Sequence, residues 1–146
     1  MKINPLFEPS QEEIDALVSR YPLALVISAG AAGLSATPLP LVLERDAYGS
    51  ATLIGHFARA NPQLACIRDN SEALIVFQGP HGYISPSWFT DRTQAPTWNF
   101  ATVHFTVRIR LLPSDEDAVI AVNALSEVME SARPNAWHPN VLQDIQ

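Results

Sequence analysis

The apolar residues recur at helical spacing chiefly toward the two ends of the chain, and between them short extended runs alternate with turns. Ser10 followed three residues later by Glu13 has the form of a capping box, and Ile14, Leu17 and Val18 continue at helical spacing as far as Arg20. This predicts a short amphipathic helix that stops near Tyr21 and Pro22. Leu23 to Ser28 is an apolar run ending at Ala29-Gly30-Ala31-Ala32-Gly33, the pattern of a strand entering a hairpin turn. The return segment, Leu34 to Glu44, is extended but contains Pro38 and Pro40. Neither donates a ladder hydrogen bond, so this strand belongs at a sheet edge or a bulge.

Asp46 to Ser50 reads as a turn and Ala51 to Ile54 as a brief strand. Phe57 to Ile67 reads as a short helix, with Asn61-Pro62 near its start or interrupting it. Ala73 to Gln78 is again a strand. Gly79 to Thr97 holds Pro80, Gly82, Pro86 and Pro96 among Tyr83, Trp88 and Phe89, and reads as a long loop of the kind that carries function. The clearest strand runs from Ala101 to Leu111, with Val103, Phe105, Val107 and Ile109 on one face and Thr102, His104, Thr106 and Arg108 on the other. After Pro113, Ser114 with Asp117 caps a helix on which Ala118, Val122, Leu125 and Met129 share a face, with acidic residues in its first turn where the helix dipole favours them. Residues 132–146, with two prolines, read as irregular. Strands predominate and no regular strand-helix alternation implies a parallel sheet, so the expected fold is mainly β, a small antiparallel β-barrel with flanking helices.

Composition narrows this further. The 146 residues, 47% of them hydrophobic, suit one domain over 1–146 that buries about two-thirds of its unfolded surface. The net charge is −6, and the positive side, eight arginines and Lys2, is scattered without a run, which argues against direct DNA binding. A lone cysteine, Cys66, excludes an intramolecular disulfide and suits a reducing compartment. No signal-peptide pattern is visible, and no apolar stretch approaches the roughly 20 residues of a membrane helix. The expectation is a cytoplasmic protein without a membrane span.

The chemistry concentrates in two regions. In Leu53-Ile54-Gly55-His56-Phe57-Ala58-Arg59-Ala60-Asn61-Pro62-Gln63, a strand gives way to a predicted helix. Exposed backbone N–H groups there, joined by the Arg59 guanidinium, would suit a phosphate. Taken singly, His56 reads more readily as a hydrogen-bonded structural histidine and Arg59 as a surface charge; their combination at a strand end favours the ligand site instead. Ser35 and Thr37 are two apart on the proline-broken strand, facing the same way toward a ligand edge or toward water. The second region is the aromatic stretch from Phe77 to Phe89 with Pro96-Thr97-Trp98-Asn99-Phe100, which suits either the wall of a planar heteroaromatic site or a subunit interface. His56, His81, His104 and His138 lack the close spacing of a metal site. There is no G-x-S-x-G elbow, P-loop or G-x-G-x-x-G, and no catalytic acid, base or nucleophile can be named.

Four motifs in order, A-T-P-L-P-L at 36–41, G-H-F-A-R-A-N-P-Q at 55–63, F-Q-G-P-H-G-Y-I-S-P-S-W-F at 77–89 and P-T-W-N-F at 96–100, resemble the PaiB-like family of FMN-binding negative transcriptional regulators. The likeness extends from Asn4-Pro5-Leu6-Phe7 onward. It implies a split β-barrel of the FMN-binding type, related to the pyridoxamine-phosphate-oxidase-like superfamily, and a homodimer with flavin near the subunit interface. Carried onto this sequence, it implies phosphate or ribityl contacts from Arg59, Asn61 and the backbone of His56, Phe57 and Ala58, with Ser35, Thr37, Trp98 and Asn99 flanking the flavin ring. Members of the family commonly continue past the position of Gln146 into a further strand and a K-x-S-Q-N-like segment. Its absence here implies weakened or lost flavin affinity. Three functions therefore stand at this point: an FMN-binding regulatory dimer, a cofactor-free dimer that works through protein contacts, and a flavin-dependent oxidoreductase.

Overall fold

The computed structural model describes residues 7–138. The Asn4-Pro5-Leu6 start of the family likeness and the end of the irregular segment fall outside the described residues. The elements in chain order are α1 (Gln11–Arg20), β1 (Leu23–Gly30), β2 (Gly33–Pro40), β3 (Val42–Arg45), β4 (Ala51–Ile54), α2 (Gln63–Asp69), β5 (Glu72–Ile84), β6 (Thr97–Arg108) and α3 (Asp115–Glu130). The architecture is mainly β with flanking helices, as expected. It consists of a four-stranded antiparallel sheet in the order β2-β1-β5-β6 and a separate two-stranded sheet of β3 and β4. Among the described residues the sheets are open rather than closed into a cylinder, an arrangement compatible with a split barrel.

The capping box forms as read: Ser10 Oγ accepts from the Glu13 N–H at 3.2 Å, and Glu13 Oε2 accepts from the Ser10 N–H at 2.8 Å. Such a cap is worth about 1 kcal/mol. The hairpin turn is tighter than the five residues expected. β1 pairs with β2 up to Gly30↔Gly33, leaving Ala31 and Ala32 to turn the chain, and Gly33 takes a φ of 107° that side chains resist. β2 lies at the sheet edge, so Pro38 and Pro40 disrupt little, as their missing donors require.

Two boundaries differ from expectation for identifiable reasons. The helix expected over 57–67 begins only at Gln63. Asn61 precedes a proline, which disfavours helical backbone there, and its Oδ1 accepts the Gln63 N–H at 2.9 Å, so the helix starts after this pair. The loop expected over 79–97 shrinks to 85–96, containing a single 3-10 turn, Pro86–Trp88. Strand pairing runs through Gly79-Pro80 by a bulge between Gln78 and His81, which takes the donor-less proline out of the ladder. Pairing then resumes at His81↔Phe100 and continues to Ile84↔Thr97, so β6 starts four residues earlier than Ala101 and ends at Arg108 rather than Leu111.

The core lies on one face of the large sheet. Ala24 and Val26 of β1, Leu39 of β2, and Ile75 and Phe77 of β5 pack with Val18 and Leu41, and Phe77, fully buried, meets Phe105 edge-on with ring centroids 5.9 Å apart. Val103, Phe105, Val107 and Ile109 extend this face, and Leu43, Leu53 and Phe57 pack against it. α3 lies at the outside, with Val119 and Ile120 exposed. No helix among the described residues is long and apolar enough to cross a membrane.

An ion pair ties α1 to β3. Arg45 donates from Nε and Nη2 to the two carboxylate oxygens of Asp15, at 2.7 and 2.6 Å, and from Nη1 to the Gly49 carbonyl at 2.9 Å. The guanidinium hydrogen bonds hold the Asp15 carboxyl below its ordinary pKa. A lowered folded-state pKa gives stability that is present above the unfolded value and lost as pH falls through the folded one. Asp15→Asn should therefore melt below the parent chain near neutral pH, with the gap closing below about pH 4. Melting temperatures measured across that range check this, and a gap that persists unchanged into acid would count against it.

Candidate functional site

Eight residues, Gly55 to Pro62, separate β4 from α2. Phe57 anchors this turn in the core, and the Asn61 N–H closes it on the Ala58 carbonyl at 2.9 Å. Among the described residues, the backbone N–H groups of His56, Phe57, Ala58, Arg59 and Ala60 meet no hydrogen-bond acceptor of the chain. A run of open donors on a constrained turn has the chemistry of an anion cradle.

Asn61 joins the turn to the sheet, its Nδ2 donating to Thr37 Oγ1 at 3.0 Å while its Oδ1 accepts from Gln63. Ser35 and Thr37 are half-buried on the core-facing side of β2, opposite Ser28 and Val26 of β1. The structure thus brings Thr37 and Asn61 into contact and sets Ser35 beside them. Arg59 is on the same turn but 82% exposed, and its guanidinium pairs with the Asp115 carboxylate in the first turn of α3. An ion pair this exposed adds little stability, so the guanidinium is free to exchange partners. His56 is exposed and makes no side-chain hydrogen bond among the described residues.

Gln63 completes the cluster; it ends the 53–63 run and the 55–63 motif, but no role of its own was legible there. It is 1% exposed. Its Nε2 lies 2.9 Å from the Val26 carbonyl, 2.9 Å from Ser28 Oγ and 3.3 Å from the Ser35 carbonyl, while its buried Oε1 has no partner among the described residues. The signal available in the sequence was a glutamine at the first position of a helix directly after Asn-Pro, next to a hydroxyl-bearing strand. That pattern has no specificity of its own.

Trp98 and Asn99 are elsewhere. They pair with Tyr83 and Gly82 on the outer half of the β5-β6 hairpin, beyond the bulge, where β1 no longer reaches. Thr37, Val26, Ile75 and Phe105 form one row across the sheet, and Trp98 is seven residues further along β6. At about 3.3 Å per residue this is roughly 20 Å of strand, and β2 and β6 are also opposite edges of the sheet. The two groups of residues expected to flank a flavin ring are thus far apart within one chain. Trp98 instead stacks on His81, with centroids 5.9 Å apart and its Nε1 donating to His81 Nδ1 at 3.1 Å, and it leans on Tyr83 at 6.2 Å. Together with Phe100 these rings form an exposed aromatic arm, Trp98 being 55% and Tyr83 49% exposed.

Comparison with known proteins gives the cluster a context. A family model described as "Putative FMN-binding domain" matches residues 1–144. The chain is 37% identical over 107 residues to the protein named Protease synthase and sporulation protein PAI 2 of Bacillus subtilis, the match covering 72% of this chain and 50% of that protein. It is 34% identical, also over 107 residues, to the Saccharomyces cerevisiae protein named Uncharacterized protein YKL070W, covering 70% of this chain and 63% of that protein. The matched region thus spans between half and just under two-thirds of these relatives.

Proposed function

Because the chain belongs to the FMN-binding domain family whose model spans residues 1–144, we propose that it binds FMN, with the phosphate received by the 55–62 turn and the flavin ring enclosed between two copies of the chain. The observation that carries this reading is the turn itself: five open backbone donors flanked by the Arg59 guanidinium and the Asn61 amide. A phosphate dianion offers stronger charge-assisted hydrogen bonds than one exposed carboxylate, so Arg59 would exchange Asp115 for the ligand. The donor set fits the group, all hydrogen-bond donors and one positive charge. When bound, FMN supplies either redox chemistry or a ligand that stabilises one assembled state.

The separation of Trp98 and Asn99 from Ser35 and Thr37 supports a site shared between subunits. If all four flank one ring, the two groups come from different copies. The exposed aromatic arm, rich in the residue types found at interfaces, supports a homodimer. The resemblance of the four motifs to the PaiB-like family of transcriptional regulators supports a regulatory role. The scattered arginines favour regulation through ligand or protein contacts over direct DNA binding. The single, buried Cys66 accords with a cytoplasmic setting.

Titration with FMN tests the reading. Flavin fluorescence should be quenched and the melting temperature should rise, because a ligand at 100 times its Kd adds about 2.7 kcal/mol to the native state. A chain that shows neither response at tens of micromolar FMN overturns the flavin reading. A stable dimer under those conditions would transfer the function to protein contacts alone.

A further inference from the structure

The side chain of Gln63 is buried, and among the described residues its Oε1 has no partner. An unpaired buried acceptor is costly, but Nε2 in return satisfies Ser28 Oγ, itself buried, which a hydrophobe of similar length would strip of its partner. What the amide does is join elements. From the first turn of α2 it reaches the backbone of both β1 and β2, at Val26 and Ser35, as well as Ser28 Oγ, and its own N–H is held by Asn61. Asn61 in turn holds Thr37. The chain of contacts runs from the sheet through Gln63 and Asn61 into the turn that carries Arg59 and the open donors.

We propose that Gln63 is the positioning residue of this site: its buried amide fixes the 55–62 turn against β1 and β2, so that the anion-binding groups are arranged before a ligand arrives. The inference rests on the flavin reading for the identity of the ligand, but the ordering of the turn is a property of the ligand-free chain. Preorganisation of this kind raises affinity by removing the ordering cost from the binding step. It acts on the phosphate end, so its loss should affect FMN more than riboflavin, which has the same ring and no phosphate.

The test uses the full chain and two variants. Gln63→Met keeps the length and removes the hydrogen bonds. Gln63→Glu keeps the shape but places a carboxylate against the carbonyl oxygens of Val26 and Ser35, so it must be protonated before it can donate. In ligand-free Gln63→Met, exchange of the hydrogen-bonded amides at positions 61, 63 and 64, which close the turn, should quicken about tenfold or more, and FMN should lose about tenfold in affinity while riboflavin loses less. For Gln63→Glu, FMN affinity should recover as pH is lowered from 7 toward 5, a trend the parent chain should not share. Exchange of the amides at positions 61, 63 and 64 unchanged in Gln63→Met, or a Gln63→Glu variant that binds FMN like the parent at pH 7, overturns the positioning role. A parent chain that ignores FMN overturns the flavin reading separately, and the exchange measurement then still decides whether Gln63 orders the turn.

Discussion

Gly30→Ala should destabilise the chain by about 1–3 kcal/mol, the range for overfilling a packed site, and should weaken FMN binding in step. An added Cβ at Gly30 would sit 2.7 Å from Cys66 Cα, 3.1 Å from Cys66 Cβ and 3.3 Å from Cys66 O. Two of those three atoms are backbone, so no rotamer change relieves the contact, and α2 must move away from β1 as a unit. α2 carries Gln63, whose amide spans the two strands, and a shift of a few tenths of an ångström lengthens those hydrogen bonds together. Gly82→Ala is the control. The space around Gly82 is open, and it pairs within the ladder opposite Asn99, so a methyl group there should be neutral or slightly stabilising through the unfolded state. Denaturant melts of both variants, with FMN titration of Gly30→Ala, check this. Equal stability for the two would mean that α2 does not press on β1 as closely as the Gly30 contact requires.

The same contact shows where sequence reading reached its limit. The helix caps were legible because they are local: Ser10 with Glu13, and Ser114 with Asp117, satisfy backbone donors three residues away whatever the rest of the chain does. The alternation from Ala101 onward was legible for a similar reason, since period two has no other physical source over such a length. Gly79-Pro80 misled because those residues usually end strands. The bulge that accommodates them is visible only once β6 is alongside. For the site, the turn bearing Arg59 and Asn61 was legible as a polar break between apolar runs, and the family likeness gave it a ligand. Gln63 was not legible. Its importance lies in contacts with Val26, Ser28 and Ser35, all at least 28 residues away along the chain, and no local pattern encodes those. The division of the expected ring contacts into two distant groups was likewise invisible, because it depends on strand order, which sets Thr37 and Trp98 on opposite edges.

Mixing two defective variants should restore flavin binding if the site is shared between copies. Arg59→Glu removes the cation and puts a negative charge where the phosphate is proposed to sit. Trp98→Ala removes the ring from the aromatic arm and its contacts with His81 and Tyr83. Each homodimer alone should bind FMN poorly, because both of its sites have the same defect. In a two-fold dimer with sites across the interface, each site takes its turn from one copy and its arm from the other. A heterodimer of the two variants therefore has one site with both defects and one with neither. Random exchange of subunits at equal concentration makes half the dimers mixed, which returns about a quarter of all sites to parental affinity. If turn and arm of one chain formed the site, every site in the mixture would retain one defect and no binding would return. Because Trp98→Ala could weaken assembly, the dimer content of each sample needs to be measured by sedimentation before titration, and Asn99→Ala, on the same arm with a smaller contact surface, serves as the second partner for Arg59→Glu. High-affinity binding recovered in either mixture is a result that only a site built from two chains can give. The strand register already points that way, since Trp98 is far from Thr37 along the sheet.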